Sequence, residues 1–279
     1  RNVDTLAALV SSGGVPVLTV CPSCQLMLKQ EYADQIKAKN FANSNVGEAM
    51  AGIDGVFFTG GEDVSPSLFK APQKEANMGE EINATRDISD YTLMAYCLDK
   101  DMPTLGACRG MQVMSIVSGT GFIQDIPAYY QAQGKTYDDT HRMPVDTPDR
   151  DYARHVVDII ENDSWMHDIV GANKLENVSS WHHQAVTDVT ADTGLTVVAK
   201  TTVDGLDIVE AVENQSKTFC LGVQFHPEVK HSEYGQQLLS NFLFEICGLE
   251  PNWSMDNLVD TMTAEFREKV GDDRVILAL

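Results

Sequence analysis

The strongest chemical signal in the sequence is a cysteine flanked by two glycines, in Gly106-Ala107-Cys108-Arg109-Gly110. This spacing fits the G-x-nucleophile-x-G elbow, in which a strand ends, the nucleophile occupies a tight turn and a helix begins. A helix N-terminus stabilises a thiolate, and the next backbone N–H faces a developing oxyanion. The alternative is a buried cysteine that merely precedes a helix. The apolar strand predicted before Cys108 favours the nucleophile.

A thiolate nucleophile needs a base, and Phe225-His226-Pro227-Glu228 follows another apolar strand. Residues i and i+2 of an extended segment point to the same side, so His226 and Glu228 are predicted to be a base and its orienting carboxylate. The alternative is a solvated loop histidine beside a surface glutamate.

A third segment, Thr59-Gly60-Gly61-Glu62-Asp63, also follows a short apolar strand. It is therefore predicted to lie at the same sheet edge as Cys108. Backbone N–H groups of a glycine pair are able to complete an oxyanion hole. The alternative is an ordinary strand-to-loop turn.

Two patterns are typical of metal or redox chemistry. His182 and His183 are adjacent, but neighbours on a strand face opposite ways and no second ligand pair has suitable spacing, so we expect no metal. Cys21-Pro22-Ser23-Cys24 is a C-x-x-C without a second copy. A redox pair is one interpretation, and two thiols in a reducing cytosol is the one we favour.

Strands alternate with helices in the elements that must position these residues, which predicts an α/β fold with a mostly parallel sheet and helices on both faces. Functional residues of such folds lie at the carboxyl edge of the strands. The first-half elements are strands at Val15–Val20, Val56–Phe58 and Thr104–Ala107, with a helix at Arg86–Leu98. The second half is richer in strand pattern, at His155–Ile160, Leu195–Thr201, Ile208–Glu213 and Thr218–Phe225, and ends with helices at Tyr234–Ile246 and Met255–Val270.

The composition argues against a nucleic-acid-binding protein, a membrane-spanning protein and a disulfide-rich scaffold. The chain has 279 residues, with 20 Lys plus Arg against 41 Asp plus Glu and a formal charge of −21, so it is expected to repel phosphate backbones. No apolar run approaches the ~20 residues of a membrane span. Six cysteines are too few for a disulfide scaffold, which favours a cytoplasmic protein. The chain begins at Arg1 rather than Met, so we expect that a preceding piece is missing.

Taken together, these residues resemble the class I glutamine amidotransferase superfamily, and most closely its γ-glutamyl hydrolase branch, peptidase family C26. The resemblance covers roughly residues 1–247 and implies a flavodoxin-like three-layer fold. Its matching pieces, in the family's order, are Gly13 to Pro16, Phe58 to Pro66, Arg86-Asp87, Gly106 to Gln112, Gln124 to Ile126, His182 to Gln184 and Gly222 to Glu228.

The resemblance assigns roles to individual residues. It makes Cys108 the nucleophile, His226 the general base and acid, and Glu228 its partner. The oxyanion donors would be backbone N–H groups of Arg109, Gly60 and Gly61. The glutamyl group would be held by a further set: Gln112, His182, His183 and Gln184.

Two departures from the family pattern concern local turn geometry and substrate fit rather than the triad. Gly119-Thr120-Gly121-Phe122 stands where the family usually has Gly-Gly-Thr-Leu, and Ser115 stands where an Asn is common.

The tail, residues 246–279, is similar to the linker of GMP synthetases that joins the amidotransferase domain to an ATP pyrophosphatase domain. The resemblance implies an amidotransferase domain at 1–247 and a linker with the start of a truncated pyrophosphatase domain at 248–279. No cofactor is implied for this chain, whereas ATP and Mg²⁺ are implied for the missing domain. The apolar face of Leu258, Met262 and Phe266 and the strand Arg274–Leu279 would need a partner, for which a homodimer is one candidate.

Three functions follow. The first is a glutaminase domain that supplies ammonia for amination of a xanthine nucleotide to GMP. The second is a stand-alone γ-glutamyl hydrolase that acts on a γ-glutamyl amine or peptide. The third is a non-catalytic regulatory domain, which the intact triad disfavours.

Overall fold

The structure is a computed structural model that describes residues 30–69, 82–144, 146–148, 151–250, 263–264 and 266–271. The strand expected at 15–20, the cysteine pair Cys21 and Cys24, and the strand expected at 274–279 lie outside these residues. Among the helices that the structure describes, none is long and apolar enough to cross a membrane.

The described helices begin before the first strand and recur between the later ones. They are α1 (Gln30–Lys37), α2 (Val46–Ala49), α3 (Ala84–Lys100), α4 (Arg109–Ser118), α5 (Ile126–Ala132), α6 (Trp165–Val170) and α7 (Gly235–Ser240), which continues into a π-helical segment, Asn241–Ile246. The described strands are β1 (Val56–Phe58), β2 (Thr104–Ala107), β3 (Gly121–Ile123), β4 (Ala153–Ile159), β5 (Lys174–Ser180), β6 (Ala185–Thr187), β7 (Thr196–Val203), β8 (Leu206–Glu213) and β9 (Cys220–Val223).

The main sheet has the strand order β1-β2-β9-β8-β7-β4-β5 among the described residues. β2 lies parallel to β1 and to β9, with Gly106 opposite Phe58 on one side and opposite Gly222 on the other. The predicted α/β class is confirmed. The remaining pairs of this sheet, formed by the strand-rich second half, are antiparallel, and β3 and β6 form a separate antiparallel pair.

Helices cover both faces of the parallel strands. Phe58 on β1 packs in one core with α3 and α4, whereas Leu105 on β2 and Leu221 on β9 pack in a second core with α6 and α7. All four residues of β2 are buried, as expected for a strand with apolar contacts on both sides. The three layers predicted from the alternating pattern are therefore present.

Glycines let α4 lie directly against the strands. A Cβ added to Gly110 would lie 2.2 Å from the carbonyl oxygen of Phe58, and one added to Gly106 would lie 2.7 Å from the carbonyl carbon of Gly110. A Cβ on Gly222 would lie 2.9 Å from Cγ of Met111. Because two of these clashes are with backbone atoms that cannot rotate away, both flanking positions of the elbow require glycine.

The C-terminal helices differ from the expected ones. The helix expected at 234–246 changes to π-helical geometry at Asn241. The helix expected at 255–270 is partly described, and residues 263–264 and 266–270 are helical. Phe266, from the apolar face that would need a partner, is 61% exposed.

Candidate active site

Cys108 lies at the turn between β2 and α4, as predicted. Its φ of 51° and ψ of −109° fall outside the regions that residues with a side chain ordinarily adopt. Two backbone hydrogen bonds hold the turn: Cys108 N–H donates to the carbonyl of Val223 (2.8 Å), and Gln112 N–H donates to the carbonyl of Cys108 (3.1 Å). Strain of this kind persists only where the surroundings enforce it, and it concentrates at functional sites.

His226 and Glu228 form a buried pair immediately after β9. Nδ1 of His226 lies 2.8 Å from Oε1 of Glu228, and both side chains are at most 3% exposed. The predicted contact between the two side chains is present, but its predicted cause, an extended backbone, is wrong. The chain turns at Pro227 and Glu228 instead of running extended, and this turn brings the carboxylate back to the imidazole.

His226 also lies beside the elbow and the glycine turn. A Cβ added to Gly60 would lie 2.6 Å from Cε1 of His226 and 3.5 Å from Cβ of Cys108. Burial lowers the pKa of His226, but Cys108 and Glu228 outweigh it and raise that pKa above its usual 6.5. Because Nδ1 faces Glu228, Nε2 is the ring nitrogen that remains to interact with Cys108.

Arg86 orients the peptide groups of the glycine turn. Its Nη2 donates to the carbonyls of Thr59 (3.1 Å) and Gly60 (2.9 Å), while Nη1 pairs with Glu62 (2.9 Å). In a trans peptide the N–H points opposite to the carbonyl of the same unit. The N–H groups of Gly60 and Gly61 therefore both point away from Arg86.

The side chain of Arg109 is buried beneath the elbow and does not face solvent. It is 1% exposed and forms ion pairs with Asp87 and Asp90. Burial raises the pKa of Asp87, and Arg109 opposes that shift. Asp87 also accepts the N–H of Ser65 at 3.1 Å, so this pair links the elbow helix α4 to α3 and to the loop after the glycine turn.

The residues proposed to hold a glutamyl group lie on two neighbouring segments. Nε2 of the buried Gln112 lies 3.4 Å from the carbonyl oxygen of Gln184. His183 is held from both sides, with Nδ1 2.9 Å from Asp125 and Nε2 2.9 Å from Asp63. Burial lowers the pKa of His183, but these two carboxylates outweigh it and raise that pKa to about 9. The Asp63 contact ties His183 to the loop that continues from the glycine turn.

His182 faces a different environment from His183. Its Nδ1 lies 2.9 Å from the carbonyl oxygen of Gln184, and its Nε2 lies 4.0 Å from the buried Glu210. The opposite orientation of the two adjacent histidines agrees with the sequence-based interpretation. The side chain of His182 thus belongs to a buried cluster beside the glutamyl segment.

Sequence reasoning did not assign Arg86 or Tyr152 to the site. Arg86 carried a signal only through the family resemblance. Tyr152 packs edge-on against His226, with ring centroids 5.2 Å apart, and also contacts Trp181 at 5.7 Å. Tyr152 lies in no recognisable motif, so nothing in its local sequence indicates this position.

An α/β sheet that places a strained cysteine elbow beside a buried His–Glu pair and a glycine turn defines the class I glutamine amidotransferase superfamily. Within that superfamily, the peptidase C26 family model matches residues 35–228, and the chain belongs to this family.

Individual relatives agree with this assignment. The chain is 33% identical to the glutamine-hydrolysing GMP synthase of Limosilactobacillus reuteri over 179 residues, which is 64% of this chain and 29% of that protein. It is 34% identical to the corresponding enzyme of Neisseria meningitidis serogroup C over 195 residues, 68% of this chain and 31% of that protein. The chain thus spans less than a third of the length of these relatives.

A solved structure supports the fold. The glutaminase domain of Trypanosoma brucei CTPS, determined with bound acivicin, is similar with a TM-score of 0.53 at 20% identity. The alignment covers 90% of this chain and 91% of that one.

Proposed function

We propose that this chain is the glutaminase part of a GMP-synthetase-like amidotransferase. The observation that carries the proposal is the placement of Cys108 at a strained elbow beside the buried His226–Glu228 pair. The raised pKa of His226 makes its imidazole a base suited to take the Cys108 thiol proton as sulfur attacks. Glu228 stabilises the imidazolium and fixes its tautomer through Nδ1.

In the first half of the reaction, the Cys108 sulfur attacks the γ-carboxamide carbon of glutamine and forms a carbon–sulfur bond. The carbonyl oxygen becomes an oxyanion, stabilised by the N–H groups of Gly60, Gly61 and Arg109. As the tetrahedral species collapses, Nε2 of His226 gives its proton to the amide nitrogen. Ammonia leaves, and a γ-glutamyl thioester remains on Cys108.

In the second half, His226 acts as a base. Its neutral Nε2 takes a proton from a water molecule while the water oxygen attacks the thioester carbon. The carbon–sulfur bond breaks, glutamate is released, and His226 returns the proton to the Cys108 sulfur. Gln112 and the backbone around His183 and Gln184 would hold the glutamyl end of the substrate.

The acceptor side of the reaction belongs to the rest of the protein. The relatives at 33–34% identity are glutamine-hydrolysing GMP synthases, and the chain spans under a third of their length. We therefore assign residues 1–247 to the glutaminase domain and 248–279 to a linker that leads to an ATP pyrophosphatase domain. There, ATP and Mg²⁺ would activate a xanthine nucleotide that ammonia converts to GMP.

A second function has its own support. The match to peptidase C26 over residues 35–228 favours a γ-glutamyl hydrolase that acts on a γ-glutamyl amine or peptide. The chemistry at Cys108 is the same in both cases, and only the leaving amine differs. A non-catalytic regulatory role is disfavoured. A strained cysteine beside a buried histidine–carboxylate pair costs stability, and a domain without catalytic activity would gain nothing from it.

Glutamate release separates these functions. We would compare glutamine with a γ-glutamyl amine as substrate, for this chain and for the full-length protein, with and without ATP plus xanthine nucleotide. If the glutaminase proposal is right, the chain should have low activity that does not change when the nucleotides are added. The full-length protein should have higher activity that increases with the nucleotides. Fast hydrolysis of the γ-glutamyl amine by the chain alone, with glutamine a poor substrate, would instead establish the stand-alone hydrolase.

A further inference from the structure

Three histidines and one glutamate converge in a buried cluster beside the active site. His141, His155, His182 and Glu210 are all buried, and one ligand-type atom from each lies within 4.8 Å of those of the others. They come from separate parts of the chain: the loop after α5, strand β4, the segment after β5, and strand β8. None of its members belongs to the proposed triad, and His182 borders the segment that is proposed to hold the glutamyl group.

The distances fit a tetrahedral ion. Oε1 of Glu210 lies 3.2 Å from Nδ1 of His141, 3.9 Å from Nε2 of His155 and 4.0 Å from Nε2 of His182. With metal–ligand bonds of roughly 2.1 Å, the ligand atoms of a tetrahedral zinc site are about 3.4 Å apart. Small side-chain movements would bring all four atoms to that separation.

The cluster holds polar atoms that protein groups leave unsatisfied. Within the described residues, both carboxylate oxygens of Glu210, both ring nitrogens of His141 and Nε2 of His182 are buried without a hydrogen-bond partner. Buried polar atoms are rarely left in this state, because their desolvation is not compensated. A shared ion would bind one such atom from each of these three residues.

Neighbouring groups set the tautomers of His155 and His182. A backbone carbonyl only accepts hydrogen bonds, so Nδ1 of His182 must donate to Gln184 (2.9 Å) and Nδ1 of His155 must donate to Val156 (3.1 Å). Nε2 of each ring is then unprotonated. Nε2 of His182 has no hydrogen-bond partner among the described residues, whereas Nε2 of His155 lies 2.8 Å from Oγ of Ser180, which a metal would displace. Metal-binding histidines ordinarily donate their other ring N–H to a carbonyl or carboxylate in this way.

We propose that His141, His155, His182 and Glu210 bind a zinc ion. Three imidazoles with one carboxylate match the ligand preference of Zn²⁺, whereas Mg²⁺ and Ca²⁺ prefer oxygen ligands. Four protein ligands in a buried site leave no open position, so the ion is structural. This proposal departs from the sequence-based expectation of no metal, because ligands at 141, 155, 182 and 210 have no recognisable spacing.

Such an ion would brace the catalytic segment. Gln224 N–H donates to the Glu210 carbonyl at 2.7 Å, two residues before His226. His226 N–H in turn donates to the carbonyl of Ser179 at the end of β5. Zinc would therefore join β8, which is hydrogen-bonded to the chain two residues before His226, to the His182 segment that leads to Gln184. The binding prediction itself does not depend on the proposed glutaminase function.

The first test is metal analysis of the purified chain with a readout independent of activity. We expect close to one zinc ion per chain, and removal by a chelator should lower the unfolding temperature by about 5 °C or more, reversibly on adding Zn²⁺. Co²⁺ added to the metal-free chain should give the visible absorption bands of a tetrahedral site.

The variant Glu210→Gln separates zinc binding from a hydrogen-bonded cluster that contains a protonated carboxyl group. Glutamine resembles that neutral carboxyl group in size but lacks the anionic ligand. If the cluster binds zinc, Glu210→Gln should weaken Zn²⁺ affinity by at least about tenfold, and a chelator should no longer lower the unfolding temperature of the variant. The control His231→Ala removes an exposed histidine outside the cluster. It should keep the wild-type Zn²⁺ affinity and the fall in unfolding temperature on chelation.

The opposite results would overturn the proposal. In that case, the wild-type chain would be isolated without zinc and would take up neither Zn²⁺ nor Co²⁺. It would also unfold at the same temperature with and without chelator. The wild-type measurements are sufficient to show whether the cluster binds zinc, so the proposal can be tested even if Glu210→Gln does not fold.

Discussion

Arg86 donates a hydrogen bond from Nη2 to the carbonyl of Gly60 over 2.9 Å. This contact, with its neighbour to Thr59, fixes the peptide groups whose N–H ends point toward the proposed oxyanion position. Arg86 itself does not touch the reacting atoms. It is a positioning residue, and its effect on catalysis is expected to pass through the glycine turn.

Replacing Arg86 with Met should therefore lower kcat far more than it raises KM. Loss of one oxyanion donor typically costs about 10²–10³ in kcat, and disordering the turn should cost about 10–100-fold. Steady-state glutamine hydrolysis measures both parameters. Arg154→Met is the matched control, because Arg154 is exposed on β4. Equal losses in both variants, or a change in KM alone, would remove Arg86 from the oxyanion argument.

Replacing Cys108 with Ala should abolish glutamine hydrolysis and leave the fold intact. For triads of this kind, loss of the nucleophile costs roughly 10⁶-fold in kcat and loss of the orienting carboxylate roughly 10⁴-fold, so Glu228→Gln should be milder. Cys247→Ser serves as the control thiol, since Cys247 is only half-buried and lies outside the site. Glutamate release and circular dichroism of each variant check activity and folding. Wild-type turnover by Cys108→Ala would end the covalent mechanism.

Replacing Gly60 with Ala should disable the site by steric means. The new Cβ would meet Cε1 of His226 at 2.6 Å, so either the ring or the turn must move. We expect a loss of activity of at least about 100-fold with about 1–3 kcal/mol of destabilisation. Gly47→Ala is the matched control, because its Cβ would meet only the Tyr96 hydroxyl at 3.8 Å. Urea unfolding and turnover of the two variants provide the comparison, and normal turnover by Gly60→Ala would place His226 elsewhere.

The pKa of His183, raised to about 9 by Asp125 and Asp63 against the opposing effect of burial, predicts a pH dependence of stability. Because the folded-state pKa lies above the unfolded value of 6.5, the ion pairs stabilise the fold fully below about pH 6.5. That contribution is lost as the pH rises through about 9.

Urea unfolding between pH 6 and pH 10 checks this, with Asp63→Asn as the comparison. The wild-type midpoint should fall more steeply with rising pH than the midpoint of the variant, since Asn does not attract the imidazolium. His226 also has a raised pKa, but it titrates in both proteins and so does not affect the difference. Parallel curves would mean that Asp63 does not hold His183 in its charged form.

The sequence predicted the parts of the site that depend on local pattern. The Cys108 elbow, the glycine turn and the His226–Glu228 pair each lie directly after an apolar strand, and parallel strands end at the same sheet edge. The cause of the His226–Glu228 contact was missed, because β9 ends at Val223 and residue alternation no longer applies at the turn formed by Pro227 and Glu228.

Contacts between distant segments were beyond the reach of sequence reasoning. The hydrogen bonds of Arg86 to the glycine turn join residues that are 26 and 27 apart in sequence. The cluster around Glu210 draws on four elements with no shared spacing. The antiparallel pairing of β7 with β8 could not be predicted either, because residue alternation indicates a strand but not its direction relative to its neighbour.

The most direct test of the central claim is to identify the residue that a glutamine-like electrophile modifies. Intact-mass measurement and peptide mapping after treatment should show one adduct per chain, located on Cys108 and blocked by excess glutamine. Cys97 and Cys220 should remain unmodified, because burial raises the pKa of each thiol to about 12. An adduct on another cysteine, or labelling of Cys108 that glutamine does not slow, would contradict a glutamine-binding nucleophile at the elbow.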